Sequence, residues 1–434
     1  MSARYASPMR RCSYTWTTLR MDTSASLSAG LTRTPARGWV VALLSRFQQS
    51  SVAAISFSFG IFLPFIRQDL ALSTWEAGVL QGVWWVTSAL LMLPASIIFS
   101  RFRPVPLVLL SLLFGVPFLF LQGLASSFLV LFLARFFFVL GHVIATPARP
   151  LLLHQWVAPT QYALVQAVGL SLHSVLLALT ISMSALLIAV LGSWRLAYFV
   201  QGGLFLLQTL AWLVAARERF APVQGLQQAL QGQHETPMRA LWTYPQGWLI
   251  GVTLFALSAT WTAIVTFLPT LLLEERGVSP TLSGPLLGFL YYALIPCSPL
   301  GGWLEKKVPN RKLLLWLPAL CNVLFGIGIT LTSSLWLLII LLTGTGVIWI
   351  VSPVLEVLPF EFPGIRPREV AVIASLIRTL MGLGFAIGPM MTGFVAERTG
   401  SLQTGLLVLC LLTGVGVMAG LLYPSQQRPA PAQR

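Results

Sequence analysis

From residue 38 onward the chain alternates long apolar stretches with short polar breaks. The apolar stretches fall at 38–64, 76–99, 105–122, 127–149, 160–190, 196–216, 246–272, 282–304, 312–332, 335–359, 369–396 and 403–423. A helix of about 17–25 residues crosses a hydrocarbon layer of roughly 30 Å, and the longer stretches allow tilt or an interfacial extension. The pattern predicts an all-α integral membrane protein with twelve transmembrane helices. A polar segment at 217–245 divides them six and six. The expected organisation is a disordered cytoplasmic tail over 1–37, a six-helix bundle over 38–216, a cytoplasmic linker over 217–245, a second bundle over 246–423 and a short cytoplasmic tail over 424–434.

Composition strengthens this reading. The 434 residues are 56% apolar and only 9% charged, where soluble domains carry about 25% charged residues, so the expected solvent is lipid. The net charge of +15, from 27 basic and 12 acidic residues, would suggest a nucleic-acid partner in a soluble protein. Position along the chain argues otherwise. With twelve alternating helices and a cytoplasmic N-terminus, 20 Lys and Arg fall on the inner side and 4 on the outer: Arg67, Arg195, Arg276 and Arg398. Cytoplasmic loops collect positive charge. We therefore expect both termini in the cytoplasm, a multi-pass protein of the bacterial inner membrane, no nucleic-acid partner and a monomer in the bilayer.

The Arg- and Ser-rich start lacks the apolar core of a secretory signal. It reads as a polar tail, with a transit peptide or a true start at Met21 as alternatives. Cys12, Cys297, Cys321 and Cys410 have no ligand-like spacing, so neither a disulfide framework nor a metal site is expected, and no cofactor.

The two halves contain a repeat. Residues 62–82 read FLPFIRQDLALSTWEAGVLQG and residues 267–288 read FLPTLLLEERGVSPTLSGPLLG. With one insertion, Phe62, Leu63, Pro64, Ser73, Gly78 and Gly82 fall on Phe267, Leu268, Pro269, Ser279, Gly284 and Gly288. Each copy is expected to end a helix at the proline, cross a short outer loop, and start the returning helix at a serine cap with a face of small residues behind it.

On these residues the chain resembles the major facilitator superfamily, and three further segments carry the resemblance. Gly301, Gly302, Trp303, Leu304, Glu305 and Lys306, followed by Arg311 and Lys312, are similar to that family's inner-loop signature. In the first half Arg101 is kept but Ser100 stands where an acid belongs. Gly192-Ser193-Trp194-Arg195 and Gly384 to Gly393 resemble two more of its motifs. The resemblance implies two pseudo-symmetric six-helix bundles around a cavity that opens alternately to either side. It also implies an inner gate in which Arg101, Gly301, Glu305, Lys306 and Arg311 take part. Gly38-Trp39-Val40-Val41 and residues 56–64 are similar to the monocarboxylate and oxalate/formate branches, and cyanate-type importers share the general pattern, so the implied solute is a small anion.

Charges within the apolar stretches are the candidates for function, because a charge near the bilayer centre costs at least about 2.5–3.5 kcal/mol and usually faces a cavity or a partner. They are Arg46, Arg135, Arg378 and Glu356. Arg135, His142, Thr146 and Arg149 share a helix face, as do Gln166, His173, Thr180 and Ser184. We expect Arg46, Gln49, Arg135, His142, His173 and Arg378 to bind the solute, and Glu356 to couple protons or to pair with a basic neighbour. The function expected is secondary active transport of a small, anionic organic solute by alternating access, with proton coupling. A drug-effluxing relative and a non-transporting membrane sensor are the alternatives. No enzymatic motif is present.

Overall fold

The computed structural model describes residues 33–99, 102–217, 239–308, 310–363, 365 and 367–424. Twelve helical rods run through them. The first six are α1 (Ala36–Leu70), α2 (Thr74–Phe99), α3 (Pro104–Leu124), α4 (Phe128–Ile144, continued as Ala148–Trp156), α5 (Tyr162–Leu191) and α6 (Trp194–Ala215). The second six are α7 (Gln246–Glu274), α8 (Pro280–Tyr292, continued as Leu294–Lys307), α9 (Leu313–Leu331), α10 (Leu335–Ile348, continued as Ser352–Val357), α11 (Pro367–Thr399) and α12 (Leu402–Leu412, continued as Val415–Leu422). Among the described residues, nine helices are long and apolar enough to cross a bilayer.

The prolines of the repeat do not end their helices. Pro64 and Pro269 lie inside α1 and α7. Proline removes one intrahelical hydrogen bond, and here the neighbouring helices hold the rod together, because Pro64 and Pro269 are buried. α1 stops only at Ala71, which turns left-handed (φ 49°) and returns its N–H to Arg67. The serine starts differ too. Ser73 Oγ accepts from the Glu76 N–H at 3.1 Å while the Ser73 N–H donates to Glu76 at 2.9 Å, a reciprocal capping box. Ser279 caps by position alone, with its hydroxyl on Thr281.

The small-residue faces expected from the repeat are where the two bundles meet. α1 packs on α7, α2 on α11 and α5 on α8. Gly78 and Gly82 of α2 lie under Pro389 and Met390 of α11, and Gly284 and Gly288 of α8 lie under Ser182 and Ala185 of α5. A methyl on Gly284 would stand 2.8 Å from the Ala185 Cβ. Running the same register back along α1 and α7 sets Gly60 opposite Val265, and these two residues touch. The pseudo-two-fold axis passes between them. A further pair of equivalents emerges at the ends of α5 and α11: Gly192 and Gly400 both take left-handed φ (66° and 71°), and Ser193 and Ser401 both cap the following helix.

One helix is broken at a point that sets the depth of a cation. α4 tightens after Ile144, where the Ala145 and Thr146 N–H groups bond back three residues to His142 and Val143, and Pro147 comes next. The helix then resumes to Trp156. Arg149, the last residue of the fourth apolar stretch by sequence and counted there on the inner side, therefore stands seven residues inside the end of the rod, about 10 Å deep.

Candidate binding site

By the rise of 1.5 Å per residue, Arg46 lies about 15 Å from the start of α1 and Arg378 about 16 Å from the start of α11, near the depth of Arg149 and counted from the same end of the molecule. All three line a cavity of about 350 Å³, together with Ser45, Gln49, Thr146, Gln166 and Gly169. Among the described residues, three guanidinium groups and no carboxylate face this space.

The first bundle arranges its polar groups in two layers. Arg46 donates to Gln49 Oε1 at 2.9 Å and to Gln166 Oε1 of α5 at 2.6 Å. Gly169 makes room for it, since a Cβ there would stand 3.0 Å from the Arg46 Nε. Arg149 donates to Gln48 Oε1 at 3.3 Å and to His142 Nδ1 at 3.4 Å. A guanidinium only donates, so His142 carries its proton on Nε2. Ser50 Oγ gives its single proton to the Arg46 carbonyl at 2.8 Å, so its 2.9 Å contact with His173 is one in which His173 Nδ1–H donates. Around Arg149 three polar atoms are buried without a partner among the described residues: its own Nε, Gln48 Nε2 and Thr146 Oγ1.

The structure thus places Arg46, Gln49 and Arg378 around the cavity, with His142 bonded to Arg149 and His173 to Ser50 outside its lining. Arg135 is not part of it. Its side chain is fully buried, donating to the Leu80 carbonyl at 2.8 Å and to Gln81 Oε1 at 3.0 Å, with its guanidinium carbon 4.0 Å from the Phe59 ring centroid. It clamps α4 to α2 and α1. The helical stripe that linked Arg135 to Arg149 is interrupted by the break at 145–147, which turns the two apart. Arg149 is the residue that sequence reasoning missed, and the stripe was its signal.

Further along the rods, toward the opposite end, six aromatic side chains form a closed ring. Phe57 touches Trp85 and Tyr291 at centroid distances of 5.6 and 5.8 Å, and Trp85 stacks on Phe385 at 4.4 Å. Phe385 stacks on Trp349 at 5.9 Å, and Trp261 joins Trp349 at 5.3 Å to Tyr291 at 5.4 Å. Six helices contribute one ring each. Beyond it, Arg67 pairs with Glu274 at 3.0 Å and the Trp75 N–H donates to Glu397 at 3.0 Å, and level with it Ser182 bonds Tyr292 at 3.0 Å, all from one bundle to the other. The far end is sealed by these contacts.

The inner-gate residues fall in several places. Arg101 and the side chains of Glu305, Lys306 and Glu356 lie outside the described residues. Gly301 lets α8 approach α10, since a Cβ there would stand 2.9 Å from the Ile350 carbonyl. Arg311 forms a two-point ion pair with Glu361 at 2.6 and 2.9 Å, a partner in its own bundle that spacing did not suggest. Close by, burial and the Glu361 carboxylate push the Tyr423 phenol up to about 12, against the opposing pull of Arg311. The Gly-Ser-Trp-Arg corner is a clamp at the sealed end: Trp194 Nε1 donates to Asp69 at 3.1 Å, and Arg195 pairs with the same carboxylate and donates to the Ala125 carbonyl at 3.2 Å.

Comparison with known proteins agrees with this architecture. The chain is 24% identical over 381 residues to a probable sulfoacetate transporter, SauU, of Cupriavidus necator, covering 82% of this chain and 87% of that one. It is 23% identical over 404 residues to a hexuronate transporter of Bacillus subtilis, covering 85% and 90%. Its fold is similar to that of a bacterial homologue of the human lysosomal transporter Spinster, inward-facing and unoccupied (TM-score 0.71, 16% identity, 90% and 96% covered). It is also similar to the nucleoside transporter NupG (TM-score 0.67, 11% identity, 92% and 98% covered). The family model of the Major Facilitator Superfamily matches residues 42–389, and the chain belongs to that superfamily of multi-pass membrane transporters.

Proposed function

We propose that this transporter carries a small organic anion, held between Arg46 and Arg149 of the first bundle and Arg378 of the second. The observation that carries the reading is a cavity faced, among the described residues, by three guanidinium groups and no carboxylate, with the Arg149 Nε–H buried and unpartnered beside it. Arg46 and Arg149 are half-buried with only neutral groups as hydrogen-bond partners among the described residues, a positive charge that an anion offsets, and a carboxylate or sulfonate matches the planar fork of the guanidinium. Sulfoacetate and hexuronate, named for two relatives, are both organic acids. The cavity opens toward the end with the basic residues, taken here as the cytoplasmic side of a bacterial inner membrane with both termini inside.

Proton coupling is assigned to His173. It bonds Ser50, whose hydroxyl donates to the Arg46 carbonyl, so an anion held by Arg46 and Arg149 brings a negative charge close to the imidazole. Anion and proton then load together. The test is uptake of a panel of carboxylates and sulfonates into proteoliposomes, with and without a pH gradient. An organic acid is expected to accumulate, Arg149→Gln and Arg378→Gln each to lower uptake about 10- to 100-fold, the range of a lost charge-assisted hydrogen bond, and His173→Gln to remove the response to pH. Accumulation of neutral or cationic solutes alone would overturn the reading.

A further inference from the structure

A second cavity lies outside the central one, on the flank of the first bundle. It has a volume of about 390 Å³, within the range of about 300–1,000 Å³ usual for small-molecule sites. α1 supplies Leu44, Phe47 and Ala54, α5 supplies Leu176, and α6 supplies Gln201, Leu204, Leu207 and Gln208 among its walls. Leu204 and Leu207 are both 62% exposed on the outer surface of the bundle, so the opening faces the bilayer.

The polar groups in its walls are the hydroxyls of Ser50, Ser51 and Thr180 and the amides of the two glutamines, and the amides are the anomaly. Gln208 is 4% exposed, and both its Oε1 and its Nε2 are buried without a partner among the described residues. Gln201, seven residues earlier on the same face of α6 and 8% exposed, donates through Nε2 to Ser58 at 3.1 Å, while its Oε1 is unpartnered. Gln208 lies seven residues from the end of α6, about 10 Å in from it, at a depth where lipid chains offer no hydrogen bond. A buried amide left unpaired in such a medium is strongly unfavourable. A partner that satisfies Gln208 must bring a donor and an acceptor side by side, because one amide needs both.

We propose that this groove is a binding site for a lipophilic molecule bearing an adjacent donor–acceptor pair, a carboxamide or a neutral carboxylic acid. Its polar group forms a two-point hydrogen bond with the Gln208 amide, and its hydrocarbon portion lies along Leu44, Phe47 and Leu204. An ester lacks the donor, and a lone hydroxyl does not present donor and acceptor side by side. The site is separate from the central cavity and does not depend on the solute assigned to it. The two cavities share α1 and α5 as walls, and Ser50 of α1 lines the groove and also bonds His173 of α5.

The test uses the full-length protein in lipid nanodiscs and a long-chain primary amide carrying a photoactivatable diazirine. Labelling is expected on α1 and α6, suppressed by excess unlabelled amide and not by the methyl ester of the matching acid. Gln208→Leu, which removes the orphaned groups and keeps the volume, is expected to lower labelling at least about tenfold, the loss of a two-point hydrogen bond. Leu204→Trp, on the exposed rim, is expected to block labelling by filling the groove while the protein folds normally. Equal competition by the ester, or undiminished labelling of Gln208→Leu, would overturn the proposal.

Discussion

In the first bundle the seam between α1 and α5 is bridged by side chains: Arg46 reaches Gln166 across it, and Ser50 meets His173. In the second bundle the equivalent seam between α7 and α11 is closed backbone to backbone. Gly251 lies under Leu380, Gly384 against Phe255 and Ser258, and Gly388 against Ala259. The register that sets Gly60 on Val265 sets Arg46 on Gly251, so the position that holds a cavity cation in one bundle holds a packing glycine in the other. Pseudo-symmetry fixes where the backbones cross, and the two bundles then divide the labour. The first presents most of the charge and hydrogen bonding, and the second gives Arg378 and four of the six rings. A solute held mainly by one bundle can stay attached to it while the other moves.

The largest effects are expected where that shared frame is attacked. A side chain at Gly60 would run into the Val265 carbonyl, and one at Gly388 would stand 2.8 Å from the Ala259 backbone. Backbone does not yield as a flexible side chain does, and overpacking of this kind costs about 1–3 kcal/mol or more. Gly60→Val and Gly388→Leu are therefore expected to lower the melting temperature in detergent by at least about 5 °C and to abolish uptake. Wild-type melting of Gly388→Leu would remove the closed seam of α7 and α11 from the comparison, and wild-type melting of Gly60→Val would remove the contact of α1 with α7 from the shared frame.

The polar seam should respond differently. At Gly169 the obstacle is the Arg46 side chain, whose Nε would lie 3.0 Å from an added Cβ, with no backbone in the way. Gly169→Leu is expected to displace Arg46 from Gln166 and lower organic-anion uptake about tenfold, the loss of one charge-assisted hydrogen bond. Its melting temperature should stay within about 2 °C of wild type, as for a change of a few tenths of a kcal/mol. A large fall in stability with binding intact would mean that the two seams play the same part.

These contrasts also mark how far the sequence reached. Length and hydropathy reveal the rods, and the repeat reveals Gly78, Gly82, Gly284 and Gly288, because helix contacts of that closeness admit only small residues and leave a periodic trace. The cavity is harder to read. Arg46 and Arg378 stand out by depth, but Arg149 is hidden because the apolar pattern ends the fourth stretch at it, while the helix resumes after the break and continues to Trp156. Arg135 misleads for the opposite reason. Its depth is genuine, but the Phe59 ring and the Leu80 carbonyl that hold it come from α1 and α2, and no spacing within α4 encodes them. The aromatic ring is only partly legible: Trp84, Trp85, Trp261, Tyr291 and Tyr292 stand out in the sequence as aromatics that could shape a cavity or merely pack, but each of the ring's six members sits on a different helix, so its closure leaves no trace in spacing.

The smallest effect should come from the sealed end, where the comparison is between bundles rather than within them. Arg67 and Glu274 join α1 to α7 at 3.0 Å, with their side chains 18% and 36% exposed. A pair this close to solvent contributes up to about 1 kcal/mol and is screened by salt. It exists only while the far end is closed, so its loss changes the balance between the two faces and leaves the fold of each bundle alone. Glu274→Gln is expected to raise the outward-open population by up to about fivefold, the equivalent of that energy. This is measurable as spin-label distances across the far end, with the gain shrinking as ionic strength rises. Exchanging the two charges, Arg67→Glu with Glu274→Arg, should restore the wild-type distances, because attraction across the seam is unchanged by which bundle carries which sign. If the single variant shifts nothing at low salt, closure rests on the glycine contacts of α2 with α11 and α5 with α8 and on the hydrogen bonds beside them, Trp75 to Glu397 and Ser182 to Tyr292, and the Arg67–Glu274 ion pair takes no part in it.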